Sequence, residues 1–220
     1  MNIIKGLIIK DFMNIKSYKS TMIYLIIIFL LFSVINNETS NFLPIMITLI
    51  FGMIGISSFS YDNFSKSDKY ILSFPVSKKD VVKARYIYIL FMTLIGAIIG
   101  PAIAILVQLL KNNTLDGVNE IIMTTMGAIL GMLVLQIVQI PIMYKFGAEK
   151  GRIIQMISIV FVMVLISGIT AFIIKISPYT LEDFIVMLEN YGGIVITIII
   201  GILYYISYNI SCKIYAKKEI

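Results

Sequence analysis

Six stretches without a single Asp, Glu, Lys or Arg decide what this chain can fold into. They run 20–37, 39–61, 86–110, 121–144, 153–174 and 190–212, each 18 to 25 residues long. A helix needs about 20 apolar residues to cross ~30 Å of hydrocarbon, so each stretch has the length of one crossing. Lipid offers no hydrogen bonds to exposed backbone, so a crossing segment must satisfy its own, which selects helices. The predicted fold is therefore all-α: a polytopic membrane protein with six transmembrane helices. The spans fall near 21–35, 42–60, 83–110, 121–144, 153–174 and 194–211. Charged residues make up 14% of the chain, against about 25% in soluble domains. The connections are short, so residues 1–220 form one membrane domain.

The basic residues give the orientation. The arm 1–20, the segments 61–85 and 144–152, and the tail 212–220 hold sixteen of the eighteen Lys and Arg. Only Lys111 and Lys175 lie in the alternate connections. The positive-inside rule then places the first set, with both termini, in the cytoplasm. The net charge of +6 is a topology signal rather than a nucleic-acid footprint. With no Trp in the chain, interfacial belts fall to tyrosines such as Tyr18, Tyr61, Tyr86, Tyr144 and Tyr208.

Ahead of the first span, Ile4, Leu7, Ile8, Phe12 and Ile15 share one helical face, which predicts an amphipathic interfacial helix. Ser77-Lys78-Lys79-Asp80 is a capping box that starts the third span's helix at Lys78. Gly100-Pro101 predicts a kink near the middle of that helix. Thr180-Leu181-Glu182-Asp183 is a second capping box and predicts a short helix over 180–190 on the outer face. Gly96 with Gly100, and Gly127 with Gly131, are small-residue pairs at the spacing that lets helices approach closely.

Absences narrow the chemistry. The chain has no histidine, which removes His-based zinc proteases and Ser-His hydrolases. It has no GxxxxGK[ST] and so no phosphate-binding loop of its own. No enzyme activity, cofactor or metal site is expected in the chain itself. The six runs hold no Asp, Glu, Lys or Arg, the usual groups on which a proton or ion gradient acts. Their polar residues include Gln108, Gln136, Gln139 and Gln155, which either hydrogen-bond between helices or line a substrate pathway. The stretch Tyr61–Tyr88, YDNFSKSDKYILSFPVSKKDVVKARYIY, stands out by contrast. It mixes aromatic anchors, Phe64 and Tyr70, with the charges Asp62, Lys66, Asp68 and Lys69, as a protein-contact surface does.

That stretch resembles the loop between the second and third spans of bacterial ABC-2-type permeases. Lys69, Tyr70, Leu72, Ser73, Pro75, Val76 and Ser77 match its core in order. YKFGAEKGR, 144–152, looks like the same family's loop between spans four and five. The resemblance implies a permease subunit of an ATP-binding-cassette exporter in a bacterial cell membrane. It pairs with a second permease, of the same or another kind, and docks on separate cytoplasmic ATPases that bind ATP and Mg. The residues it offers for coupling to the ATPase are Asp62, Phe64, Lys66, Asp68, Lys69 and Tyr70, with Phe146, Glu149 and Lys150 from the second loop. An uncharged pathway suits an amphipathic or hydrophobic cargo, for example an antimicrobial or cytolytic peptide. Two other classes stay open on the residues alone: an ion-coupled or passive transporter or channel, and a non-transporting immunity or sensor protein.

Overall fold

The structure is a computed structural model that describes residues 3–35, 42–65, 76–112, 117–176 and 193–218. Every regular element among the described residues is helical. Helix α1 spans Ile3–Asn14 and passes through a 3-10 turn, Ile15–Tyr18, into α2, Lys19–Ile35. Helix α3 spans Phe42–Ser65, α4 Lys78–Asn112, α5 Val118–Ile176 and α6 Gly193–Ala216. The expected helix over 180–190 lies outside the described residues.

Among the described residues, four helical stretches are long and apolar enough to cross a membrane: Phe42–Asp62, Lys78–Lys111, Val118–Ala148 and Val195–Ala216. They correspond to the second, third, fourth and sixth expected spans. Ile4–Asn14 and Lys19–Leu31 pass together as a fifth, bent by 64° at the turn between them. The chain is an all-α membrane protein.

Helices α3 and α4 form the central pair, with α5 against α3 and α6 against α5. The small pair Gly96/Gly100 explains the closeness of the first contact. A Cβ at Gly96 would lie 2.8 Å from Phe51 Cβ and 3.0 Å from Thr48 Cα. One at Gly100 would lie 3.0 Å from Pro44 Cα. Only hydrogen fits, so the backbones touch. The second pair, Gly127/Gly131, has nothing within 4 Å and faces away from the bundle. The core between the helices is built from Ile47, Phe51, Phe59, Val82, Ile89, Met92, Met132 and Ile140. Helix α6 instead shows a broad apolar face to its surroundings, including Val195, Ile198, Ile202 and Ile206, as a lipid-facing helix does.

The start of α4 follows its sequence. Ser77 Oγ accepts from the Asp80 N–H at 3.1 Å and donates to Asp80 Oδ2 at 2.6 Å. That is the expected cap, with Lys78 as first helical residue. The helix continues through Pro101 without a break.

Two expectations are corrected. The segment 144–152 is not an extended loop: two helices meet in it at the single non-helical residue Gly147, with φ 78° and ψ 174°. That backbone region is essentially open to glycine alone, so a single residue turns the helix. The charges and glycines of YKFGAEKGR gave the segment a loop's composition, yet its residues on both sides keep helical hydrogen bonding. Secondly, Tyr86 and Tyr144 are not belt residues. They are 4% and 6% exposed and pack edge-on into the bundle, Tyr86 against Tyr204 and Tyr208, and Tyr144 against Phe59. Aromatic rings at this spacing gain from their quadrupoles as well as from burial.

Candidate functional site

The end of the bundle formed by the last turn of α3 and the first turns of α4 holds an unexpected group of charges. Asp62 sits in the last turn of α3. Arg85 lies two turns into α4, on the face it shares with the buried Val81 and Val82. Asp11 lies on α1 between Leu7 and Ile15, four residues from each, so the apolar stripe of the arm carries a carboxylate at its centre. Leu7, Phe12 and Ile15 pack on the core, and Phe12 meets Tyr88 of α4 edge-on at 5.3 Å. This packing delivers Asp11 and its neighbour Lys10 to the other two charges.

Together they close a ring of alternating sign. Lys10 Nζ donates to Asp62 Oδ1 at 2.7 Å. Arg85 Nη2 donates to Asp62 Oδ2. Arg85 Nη1 lies 3.3 Å from Asp11 Oδ1, and Lys10 Nζ lies 3.4 Å from the same oxygen. The side chains of Asp11, Asp62 and Arg85 are at most 5% exposed, while that of Lys10 is 30% exposed. The Phe59 ring covers the guanidinium, 4.9 Å from its centroid. Burial pushes the Asp11 carboxyl above its ordinary range, with Arg85 and Lys10 pulling it back. Charges withdrawn from water this far are costly unless paired, and here each meets two opposite charges.

The tail and the elbow of α5 close over the ring. Lys78 Nζ donates to the Ala216 carbonyl at 3.1 Å and to the Lys218 carbonyl at 2.8 Å. A cation thereby answers the carbonyls left open at the end of α6. Tyr86 Oη shares hydrogen bonds of 2.8 Å with Ser207 and with Ser211 of α6. A cavity of about 20 Å³ lies between Phe59, Asp62, Arg85, Tyr144, Ala148 and Lys218. It has room for a single water molecule, so it is no cargo site.

Against the residues singled out by sequence, the placement is uneven. Asp62 is described and buried in the ring, not presented on a surface. Lys66, Asp68, Lys69 and Tyr70 lie outside the described residues, as do the side chains of Phe64 and Glu149. Phe146 and Lys150 are exposed beside the Gly147 break. Lys145 Nζ sits 5.1 Å over the Phe146 ring. Within the spans, Gln136 Nε2 donates to Thr93 Oγ1 at 2.7 Å and ties α5 to α4. Gln108, Gln136 and Gln139 are all closed off inside the single chain. The side chain of Gln155 lies outside the described residues.

Sequence reasoning missed Lys10, Asp11 and Arg85 because it counted them as flanking charges. The signal was present for one of them: Asp11 interrupts the stripe Leu7-Asp11-Ile15, where a solvated face would carry its charges elsewhere.

A family model described as ABC-2 family transporter protein matches residues 6–216. No curated protein and no solved structure matches the chain.

Proposed function

Because the chain belongs to the ABC-2 transporter family and is the membrane permease of an ABC-type transporter, we propose that it works as one of two paired permeases of an exporter. Separate cytoplasmic ATPases supply ATP and Mg, and the cargo is amphipathic or hydrophobic, with an antimicrobial or cytolytic peptide as the first class to test. All six apolar runs cross the membrane in this reading. α2 is one span, and the two halves of α5, 118–146 and 148–176, are two. Both termini, 66–75 and the Gly147 elbow then lie on the cytoplasmic side.

One observation carries the reading. The two helices that flank residues 66–75 are fastened to each other by the buried pair of Asp62, in the last turn of α3, with Arg85, two turns into α4. A push arriving between two helices joined this way reaches α3 and α4 together instead of being dissipated. Phe64, Lys66, Asp68, Lys69 and Tyr70 supply the ATPase contact, joined by Phe146, Glu149 and Lys150 at the elbow. Asp62 anchors the loop from within. The closed-off glutamines suit a pathway formed between two permeases rather than inside one.

The test is co-purification of the chain with co-expressed ABC-type ATPases from the same genome, followed by ATP hydrolysis in lipid discs. The permease is expected to stimulate hydrolysis. Phe64→Ala with Tyr70→Ala should remove that stimulation while the ATPase keeps its basal rate, since anchor truncations cost ~2 kcal/mol or more at an interface centre. Full stimulation in the double variant would overturn the coupling assignment. For topology, cysteines at Asn63 and Asn113 in a Cys212→Ser background should label from opposite sides. Labelling of both from outside would overturn six spans.

A further inference from the structure

We propose that Lys10 and Asp11 lock the N-terminal arm to both ends of the coupling segment, so that arm, α3 end and α4 start reorient as one body. The inference rests on the permease reading for its role in transport, but the lock itself is a property of this chain alone.

The apolar contacts of α1 hold it against the bundle without fixing where along α4 it sits, because hydrophobic burial is non-directional. Leu7 and Ile15 flank Asp11 by about one helical turn on each side, roughly 5.4 Å per turn. A slide of the arm by one turn would therefore keep an apolar residue against the core. It would also set a leucine or an isoleucine opposite the guanidinium of Arg85. The ring forbids that slide. Asp11 Oδ1 lies 3.3 Å from Arg85 Nη1, and Lys10 Nζ lies 2.7 Å from Asp62 Oδ1. Neighbouring residues of opposite sign thus grip two different helices, and displacement in either direction separates both pairs at once. Buried ion pairs of this kind are best attested as devices that fix register.

The geometry has a second consequence. Asp62 and Arg85 bracket the segment 66–75, and each of them holds the arm as well as its partner. A push that moves the segment's two ends must carry α1 with it or break the ring. Lys10 and Asp11 are positioning residues in this account. They touch neither cargo nor nucleotide.

The experiment uses the full chain in lipid discs of phosphatidylethanolamine and phosphatidylglycerol. Spin labels are placed at Met13→Cys and Lys79→Cys, both exposed positions outside the ring, in a Cys212→Ser background. Dipolar spectroscopy then reads the distance from arm to α4. A single narrow distribution is expected for the parent and for the conservative variants Asp11→Glu and Lys10→Arg. Asp11→Asn with Lys10→Met should widen it at least about twofold, in step with loss of register at constant apolar contact. Lys5→Gln, which removes an exposed arm lysine outside the ring, should leave the width unchanged. A parent width retained in the Lys10/Asp11 double variant overturns the proposal, as does equal widening with Lys5→Gln. With the ATPase bound and trapped in its nucleotide-closed state, the arm-to-α4 distance should stay within about 2 Å of the free value, since a locked unit moves without internal change. A shift of several ångströms there also overturns it. Failure of any ATPase to bind strikes the permease reading alone, because the free chain already decides the lock.

Discussion

Replacing Gly96 by alanine tests whether backbone contact between α3 and α4 holds the bundle together. The added Cβ would sit 2.8 Å from Phe51 Cβ, 3.0 Å from Thr48 Cα and 3.2 Å from the Ile47 carbonyl oxygen. Comfortable carbon–carbon contact begins at about 3.5 Å. The helices must therefore part by roughly 0.7 Å, a gap that forfeits a quarter to a half of each contact along the seam. Two of the three clashing atoms are backbone, so no side-chain rotation relieves them. Overpacking of this sort costs about 1–3 kcal/mol. Alanine returns up to ~1 kcal/mol through its better helix propensity. A net loss of about 1–2 kcal/mol corresponds to a fall in melting temperature of roughly 2–8 °C for a chain of this size. Gly127→Ala is the matched control: it makes the same substitution on α5 where nothing lies within 4 Å. It should leave the melting temperature unchanged or raise it slightly. The assay is thermal unfolding of both variants in one detergent, followed by loss of the monodisperse peak. Equal melting temperatures for the two would refute the close-packed seam. Adding Gly100→Ala to Gly96→Ala should cost less than the sum of the two, because one separation of the helices relieves both sites.

Three further outcomes follow from the same packing. Arg85→Leu leaves Asp11 and Asp62 buried with Lys10 as their remaining ring partner and should destabilise the fold by about 3–5 kcal/mol, read as loss of folded protein after mild heating. Tyr86→Phe deprives Ser207 and Ser211 of a buried partner and should cost about 1–2 kcal/mol, visible as earlier proteolysis of α6 from the bundle. Gly147→Ala forces a side chain into a glycine-only backbone region and should cost about 1–3 kcal/mol; an unchanged melting temperature would mean the break in α5 relocates.

The helices were legible because lipid leaves few alternatives: charge-free runs of crossing length predicted α3, α4, the first half of α5 and α6 within a few residues. Ser77 was readable as a cap because the reciprocal bond needs only local geometry. What composition hid was the behaviour of charges near helix ends. Lys10, Asp11 and Arg85 counted as solvated flanks, and Asp62 as part of a contact surface, until the fold brought three helices to one point. Their pairing depends on contacts between residues 52 and 74 positions apart, which no local period encodes. The segment 144–152 misled for the opposite reason. Its glycines and charges looked like a nine-residue connection, while one glycine suffices to join two helices and its neighbours are helical. Tyr86 and Tyr144 show the same limit: a tyrosine at a span end reads as an anchor from sequence, and only the opposing rings decide whether it turns inward.

The elbow at Gly147 also means that the two halves of α5 share a joint with no slack. An ordinary loop absorbs an added or lost residue by rearranging; a one-residue joint between helices has nowhere to put it. A single insertion immediately after Gly147 would turn everything from Ala148 onward by about 100° and advance it about 1.5 Å. The side of the downstream helix now facing the bundle would swing outward, and the exposed Ile153, Met156 and Ile157 would sweep to a new bearing. Helix phase, rather than loop length, is what sets the bearing of the downstream helix here.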